Sequence, residues 1–394
     1  MVLLLTMFYR STLLTGVRLL HFPTLTIHKR LCSSEVTQST FIYTSKVEVP
    51  GEPTARIAWR KWLPGALSPG NKFPEFVARP RHNFPALYSF NPAVADSTYM
   101  GDLAKDTRRI MESQLHFYGA LLFRGLPLES GDDFSRFMKR LGYTLMDYEE
   151  GNYIRDKVAE HVLTASNEPP EYTIDFHSEL AFLENLAMKI IFYCNVPPLP
   201  GHGGESIIAD TRDILKKLHP DFVNKLRKLG VLYMQRLPRV GDGNLVGWEE
   251  MFKVKSKADA SKYIEEIRSG SMHYFEDDTL VYKYKLPALK THPKTGEEIW
   301  CNQIQNHHAD YFKHHPLMAH LDLPDDKYPF HCYYGDGSVF EEEVLQHLRS
   351  VAWELGVGFQ LQKGDILALD NHYVHHGRLG FSKQRRVFVA LTKD

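Results

Sequence analysis

Short apolar segments with strand character dominate this sequence from residue 161 onward, and they most limit how the chain can fold. Turns rich in glycine and proline separate them, and the clearest are HVLTAS, YTIDFHSELAF, MKIIFYCNV, ESIIA, ILALDN and RVFVALT. Many short strands in succession are typical of antiparallel sandwiches and barrels. We therefore predict a mostly β fold with flanking helices, in which two sheets pack as a jelly roll.

Helical patterns precede and interrupt these strands. Apolar residues have helical spacing around Leu103 to Leu115, and again in SGDDFSRFMKRLG, where Ser130 is a suitable N-cap. Residues 210–270 also have mostly helical character and are predicted to form a helical insertion in the barrel. A last helix is predicted to begin at Ser338, with Glu341 completing a capping box.

The first 96 residues differ in composition from the rest. Residues 1–34 contain basic residues, serines and threonines but no acidic residue, which is the composition of a mitochondrial transit peptide. We expect a location in the mitochondrial matrix; the alternative is a cytoplasmic protein whose N-terminus carries no address. Residues 35–96 are broken by prolines and are predicted to wrap irregularly around a single domain that covers 97–394.

Charge and cysteine content exclude several classes of protein. The 47 basic and 48 acidic residues are well mixed, so nucleic acid is not an expected partner. Basic residues interrupt the apolar N-terminal stretch, so no membrane span is expected. The 4 cysteines are scattered and form no CxxC pair, which argues against a disulfide scaffold or a zinc finger. The oligomeric state stays open.

Two separate segments supply candidate metal ligands. His177 and Glu179 lie two apart in DFHSEL, which we predict to be a strand, and side chains at this spacing point to one face. The pattern alone is common by chance. The C-terminal segment DNHYVHHGRLGFSKQRR adds three histidines and two adjacent arginines. Two histidines and one carboxylate leave three positions of an octahedron open, as in non-haem Fe(II) oxygenases. Zinc peptidases use a helical HExxH, which this sequence lacks.

The third ligand and the role of the arginines depend on strand parity. His375 faces the side opposite to His376 in a regular strand, whereas His372 shares its parity and stays a candidate. A guanidinium group would hold the distal carboxylate of a 2-oxo acid such as 2-oxoglutarate through two hydrogen bonds. Arg385 and Arg386 face opposite sides, so only one of them enters the barrel; we favour Arg385.

From Gly119 to Lys393 the chain resembles the taurine dioxygenase and clavaminate synthase group of Fe(II)/2-oxoglutarate-dependent oxygenases. The shared motifs are GALLFRGLPLESGDDFSRFMKRLG, FHSELAF, FYCNVPP, GGES, HPKTGEEIWCNQ and GDILALDN…VHHGR…RRVFVAL. This resemblance implies a double-stranded β-helix core with an HxD/E…H…R signature. Glutamate in place of aspartate is what clavaminate synthase-like members show.

The resemblance also implies roles for individual residues. His177, Glu179 and His376 would be the catalytic iron ligands, because the distal histidine of the family directly precedes a Gly-Arg pair. Arg385 would anchor 2-oxoglutarate. Ser206 in GGES, where the family usually has threonine, would help hold the 2-oxoglutarate carboxylate; the alternative is a simple turn serine.

Together these expectations describe an Fe(II)/2-oxoglutarate-dependent dioxygenase that uses O2 to hydroxylate a small, amino-acid-like substrate and releases succinate and CO2. The alternatives are a jelly roll that binds without turnover, and a protein or peptide hydroxylase. Arg155 and Asn302 resemble family positions near the pocket, although either could be purely structural. NHHADYFKHHP supplies no carboxylate at strand spacing, so we expect its histidines to line a polar loop or the surface rather than to form a second metal site.

Overall fold

The computed structural model of the protein describes residues 40–47, 76–97, 99–148, 155–241, 246–267, 270–315, 318 and 320–394. The predicted transit peptide lies outside the described residues, as does most of the proline-rich segment that follows it. All described residues belong to one compact unit.

Strands and helices alternate along the described residues. The strands are β1 (Phe41–Thr44), β2 (Ala86–Phe90), β3 (Ala120–Arg124), β4 (Leu145–Met146), β5 (Lys157–Ala159), β6 (Val162–Thr164), β7 (Ile174–His177), β8 (Lys189–Val196), β9 (Ser206–Asp210), β10 (Val231–Leu237), β11 (Gly270–Tyr274), β12 (Leu280–Leu286), β13 (Leu289–Thr291), β14 (Glu298–Trp300), β15 (Phe330–Tyr334), β16 (Val357–Phe359), β17 (Ile366–Asp370), β18 (Val374–Arg378) and β19 (Arg386–Thr392). The helices are α1 (Met100–Tyr118), α2 (Gly131–Leu141), α3 (Thr211–Lys217), α4 (Pro220–Leu229), α5 (Trp248–Met251), α6 (Lys257–Ile267), α7 (Ile304–His307), α8 (Ala309–His314) and α9 (Glu342–Leu355), with short 3-10 helices at Pro92–Ser97 and Asp325–Lys327. Among the described residues, no helix is both long and apolar enough to cross a membrane.

Two sheets form the barrel. The larger has the strand order β1-β2-β3-β17-β8-β19-β6-β5, with β4 pairing to β19, and the smaller has the order β16-β9-β18-β7. Alternate residues of β17 and β19 pack into two different cores: Leu367 and Val389 face the barrel interior, whereas Ala368 and Phe388 pack on the outer side. This alternation requires apolar cover on both faces of the larger sheet. The predicted double-stranded β-helix core is confirmed.

Helices α1 and α2 cover the outer face of the larger sheet. Leu103 and Ile110 of α1 and Phe134 and Phe137 of α2 are buried in the outer core. The predicted N-cap is correct, because the Ser130 hydroxyl accepts the Asp133 backbone N–H at 3.1 Å. Both helices therefore lie where the apolar spacing in the sequence placed them.

The segment predicted to wrap irregularly contributes two strands to the larger sheet. Strand β1 pairs with β2, and β2 runs parallel to β3. Phe41 and Ala86 are buried in the outer core, so these strands extend the sheet beneath α1. The prolines limited the length of the elements without preventing them, because each strand needs only four or five residues.

The predicted helical insertion at 210–270 is a mixture of helix and strand. Helices α3, α4, α5 and α6 are present, but β10 lies between α4 and α5. This strand pairs with both β12 and β15 in a separate four-stranded sheet of order β11-β12-β10-β15. Its partners lie about 50 and 100 residues further along the chain, so local pattern did not reveal it.

The last helix, α9, begins later than predicted. Its N-cap is Glu341, which makes no side-chain capping hydrogen bond, so the predicted capping box is wrong. The Ser338 hydroxyl instead donates to Asp336 Oδ1 at 2.6 Å within the preceding turn. The turn thus uses the hydroxyl that the capping box required, and the C-cap of the helix is Gly356.

Candidate active site

His177 and His376 face each other on neighbouring strands of the smaller sheet. His177 is the last residue of β7, His376 is in the middle of β18, and the two residues are antiparallel register partners. Their ring centroids are 4.3 Å apart. Strand pairing therefore brings together two histidines that are distant in sequence, as the resemblance implied.

Glu179 reaches the same point from a turn, not from a strand. Strand β7 ends at His177, and the next residues turn, with Leu180 at a φ of 60°. Glu179 Oε2 lies 3.9 Å from His177 Nε2 and 3.8 Å from His376 Nε2. The prediction that Glu179 shares a strand face with His177 is wrong, yet the three side chains still converge as a group able to hold a metal ion.

Asn371 fixes this turn from the other side of the barrel. Its Oδ1 accepts the Glu179 backbone N–H at 2.8 Å, and its Nδ2 donates to the carbonyls of Glu179 and Ala187, each at 2.8 Å. Asn371 is fully buried, so these backbone groups have no access to bulk water. The amide side chain thus determines where the Glu179 carboxylate lies.

Replacing Asn371 by alanine is expected to weaken both metal binding and folding. Three buried backbone groups would lose their partner, which costs about 3 kcal/mol or more. Metal affinity should fall by about 10- to 100-fold, as for other residues that orient a ligand. Urea unfolding and metal titration test this, with Asn195→Ala as control, because Asn195 also donates to a backbone carbonyl but is away from the cavity. Unchanged metal affinity in Asn371→Ala would contradict the proposed role.

The protonation states of the three side chains suit a metal. His177 Nδ1 donates to the Asp175 carbonyl at 2.9 Å, which orients the ring so that Nε2 is the nitrogen that faces Glu179. Burial lowers the pKa of His376 to about 4, and neighbouring His177 acts in the same direction, so His376 is neutral at physiological pH. Burial would raise the pKa of Glu179, but Arg155 and the two histidines outweigh it and hold the pKa well below its usual range. Neutral imidazoles and an ionised carboxylate are the forms that bind metal.

The metal group lies in a cavity of about 220 Å³ between the two sheets. The smaller sheet contributes Ile174 and Ile208 to its wall, and the larger sheet contributes Phe192 and Leu367. Polar groups from loops and from α7 complete the lining. The cavity is therefore a small-molecule site with an apolar floor and a few directed polar groups.

Arg385 and Ser206 both line this cavity, whereas Arg386 does not. The Nε of Arg385 donates to the Gly204 carbonyl at 3.1 Å, and a Cβ at Gly204 would lie only 3.1 Å from Arg385 Cδ. Burial lowers the pKa of Arg385 to about 10, so it stays charged. Arg386 begins β19 and is exposed. These positions agree with the preference for Arg385, and its role as anchor stays a prediction, as does that of Ser206.

Arg378, two residues after His376, fastens the loop at one side of the cavity. Its Nη2 donates to the carbonyls of Pro169 and Tyr172, at 2.9 and 2.8 Å. The same loop places Glu168 in the cavity lining. This contact could not be predicted from the sequence, although the His-Gly-Arg motif places Arg378 two residues from a candidate ligand.

The lining residues Gln303 and Asn306 were not predicted from the sequence. Together with His307 they come from α7 and the residue before it, a helix too short to show helical periodicity. Arg155 lies beside Glu179, and its Nη2 donates to Glu179 Oε2 at 2.9 Å. Asn302 does not line the cavity; its Nδ2 donates to the Ala288 carbonyl at 2.9 Å.

The remaining C-terminal histidines lie away from the cavity. His372 lies in the turn before β18, so strand parity does not apply to it, and it is not among the lining residues. His375 lies within β18 but faces away from the cavity, as parity predicted. Both are buried.

A second histidine group lies outside the cavity, where His308, Asp325 and His331 come within 4.8 Å of one another. The Nδ1 atoms of His308 and His331 accept the backbone N–H groups of Asp310 and Ala309, at 3.2 and 3.1 Å. A neutral imidazole that accepts at Nδ1 carries its proton on Nε2, so these rings lack a second lone pair for a metal. Both histidines are buried, and we interpret them as structural.

The buried neutral state of His331 should make the fold sensitive to acid. Burial lowers its pKa from 6.5 to about 4, so between these values the unfolded chain binds a proton that the folded chain does not. Stability should therefore fall as pH drops through this window, by on the order of 3 kcal/mol for this residue. Urea midpoints measured against pH should show a shallower loss in His331→Asn, and the same loss as wild type in His320→Asn at an exposed position. Equal slopes in all three proteins would exclude this contribution.

Comparison with known proteins agrees with this geometry. Residues 84–392 match the family described as "Taurine catabolism dioxygenase TauD, TfdA family". The dapdiamide synthesis protein DdaC of Enterobacter agglomerans is 32% identical over 69% of this chain and 82% of its own length. A clavaminate synthase-like protein of Arabidopsis thaliana is 27% identical over 82% of this chain and 94% of its own length.

Solved structures of similar proteins include PvcB from Pseudomonas aeruginosa, which is 14% identical and covers 80% of this chain and 90% of that chain, with a TM-score of 0.46. The family match includes every strand of the two barrel sheets except β1, and all three residues of the metal group. The chain belongs to the TauD/TfdA family of Fe(II)/2-oxoglutarate-dependent oxygenases.

Proposed function

We propose that this protein hydroxylates a small, amino-acid-like substrate at the metal group in the cavity. In this reaction one oxygen atom of O2 enters the substrate C–H bond and the other enters 2-oxoglutarate, which loses CO2 and becomes succinate. The observation that carries the proposal is the convergence of His177, Glu179 and His376 at the wall of a cavity that Arg385 also lines. A barrel that only binds a ligand needs no such combination.

The three ligand side chains would hold Fe(II) through His177 Nε2, Glu179 Oε2 and His376 Nε2. Bound Fe(II), with 2-oxoglutarate and O2, supplies the oxidising chemistry that the side chains of the protein lack. The protein positions the ligand side chains: Asn371 holds the turn that carries Glu179, and the Asp175 carbonyl orients the ring of His177. The apolar floor keeps water away from the reacting groups.

Arg385 would bind the distal carboxylate of 2-oxoglutarate, and the hydroxyl of Ser206 would support a carboxylate oxygen. Both side chains line the cavity on the side of β9 and β18, where Ser206 is the register partner of Arg378. The guanidinium groups of Arg385 and Arg378 both lie on this side of the cavity, and two positive charges favour a cosubstrate with two negative charges. If 2-oxoglutarate binds beside Arg385 and Ser206, the part of the cavity lined by Glu168, Gln303 and Asn306 is left for the substrate.

The test is turnover by purified protein loaded with Fe(II) under anaerobic conditions and then exposed to O2. We expect 2-oxoglutarate to be consumed and succinate to form in equal amounts, faster when a pool of amino acids contains the substrate. Mass spectrometry should show one pool member gaining one oxygen atom. Consumption stimulated only by a peptide pool would instead support a peptide hydroxylase, and absence of any Fe(II)-dependent consumption would refute the proposal.

A further inference from the structure

Arg155 is the cationic side chain in contact with the metal group. Its Nη2 donates to Glu179 Oε2 at 2.9 Å, and this is the oxygen that faces both histidines. The guanidinium carbon lies 4.6 Å from the centroid of the Tyr148 ring, which supports it from one side. The side chain is only 10% exposed and lines the cavity. Arg155 is therefore a buried, charged part of the cavity wall.

Within the described part of the chain, this guanidinium interacts with Glu179 through Nη2 and with the side chain of Tyr148, whereas its buried Nη1 atom makes no hydrogen bond of its own. A buried charged donor without an acceptor is unfavourable, and such groups in native proteins call for an explanation. Because Arg155 lines the cavity, a ligand in the cavity can supply the missing acceptor.

The expected anchor of 2-oxoglutarate lies among different neighbours. Arg385 contacts the Gly204 carbonyl and lies 5.7 Å from the ring of Phe381, which Arg378 approaches at 5.0 Å. Arg155 has Glu179 and Tyr148 as its neighbours. Among the described residues, Arg155 shares none of these contacts with Arg385 or Arg378, so a ligand group at Arg155 Nη1 would have different protein neighbours from a carboxylate at Arg385.

Unpaired acceptors line the same cavity. Gln303 Oε1 and Asn306 Oδ1 are buried and have no hydrogen-bond partner among the described residues. They are neutral oxygens that accept N–H groups. Among the described residues, the cavity lining therefore offers Arg155 Nη1 and Arg378 Nε as unpaired cationic donors, and Gln303 Oε1 and Asn306 Oδ1 as unpaired carbonyl acceptors. This set is complementary to a molecule that carries both a carboxylate and an N–H donor, such as an α-amino acid.

We propose that Arg155 binds a carboxylate of the substrate through Nη1, while Gln303 and Asn306 accept N–H groups of the same molecule. This inference rests on the proposed function, since it names the substrate of that site. A carboxylate fits better than a phosphate dianion, because a single guanidinium that already neutralises Glu179 has only one end to offer. Arg155 would thus fix the anionic end of the substrate beside the metal ligands.

The experiment uses the full chain loaded with Mn(II) and the 2-oxoglutarate analogue N-oxalylglycine, which together allow binding without turnover. Common α-amino acids, each beside its α-carboxamide, are the probes, and calorimetry measures their dissociation constants. Wild type should bind at least one acid about 10- to 100-fold more tightly than its amide, the difference expected for a charge-assisted hydrogen bond. Arg155→Gln should lose this preference and still bind Mn(II) and N-oxalylglycine. Arg140→Gln, on the exposed face of α2, should keep it.

Each other result would overturn the inference. Wild type without any preference for acid over amide, or Arg155→Gln with the preference intact, would show that Arg155 binds no carboxylate of these probes. If Arg155→Gln no longer bound N-oxalylglycine, Arg155 would be a binding residue for the cosubstrate. If it no longer bound Mn(II), the role of Arg155 would be to position the Glu179 carboxylate. If Arg155→Gln does not fold, Arg155→Lys, which keeps the charge without the planar fork, should still show a reduced preference. A different result would refute the proposed function itself: wild type would then show no Mn(II)-dependent binding of N-oxalylglycine.

Discussion

His376→Ala is expected to abolish Fe(II)-dependent consumption of 2-oxoglutarate and to reduce metal affinity by more than about 100-fold. The variant removes one of three ligands, whereas loss of a residue that merely orients a ligand already costs about 10- to 100-fold. His177 and Glu179 alone would leave the metal exchangeable. Metal content of the purified protein and succinate formation measure the two effects.

The neighbouring histidine provides the control for this prediction. His375 is buried like His376 but lies on the opposite face of β18, outside the cavity lining. His375→Ala should therefore lose stability through packing while keeping bound metal and turnover per folded molecule. If His376→Ala bound metal as wild type does, or if His375→Ala lost the metal, the ligand assignment would be wrong.

Neutralising Arg385 is expected to raise the KM for 2-oxoglutarate by about 100-fold or more. Truncating one partner of a buried, hydrogen-bonded charge pair typically costs 2–5 kcal/mol, and the dicarboxylate would lose such a partner. Arg385→Leu should leave metal content unchanged, because Arg385 is not a ligand. Steady-state kinetics with 2-oxoglutarate as the varied component measure the change.

Arg386→Leu is the matched control, since it removes the same charge from the adjacent position. Its side chain is exposed at the start of β19, so the KM for 2-oxoglutarate should change by less than about threefold. A reversed result, with a large effect in Arg386→Leu and none in Arg385→Leu, would assign the anchor to Arg386.

Local patterns in the sequence were sufficient for α2 and for the two adjacent histidines of β18. The helical spacing of Phe134 and Phe137 correctly placed α2 on the barrel. The position of His376 inside a strand made parity informative, and the structure places His375 on the other face. Glu179 shows the limit of this reasoning: its spacing from His177 was correct, but a turn held by Asn371 produces the convergence.

The remaining features depend on tertiary contacts that no local pattern records. Strand β10 has partners far along the chain, and α7 is too short for helical periodicity to reveal it. The family resemblance suggested that Arg155 lies near the pocket, but only the structure reveals its contact with Glu179. Gln303 and Asn306 likewise could be recognised as cavity residues only from the structure.

The separate sheet of β10, β11, β12 and β15 has a consequence for how this fold can acquire new substrates. The metal ligands lie on or next to β7 and β18, while Gln303 and Asn306 lie in the chain between β12 and β15, which belong to that sheet. If Gln303 and Asn306 bind the substrate as proposed, part of substrate selection is carried by a different segment of the chain from the metal ligands, while Arg155 belongs to the region beside the ligands. Sequence change in the inserted part can alter which molecule is oxidised and leave the oxidising machinery intact.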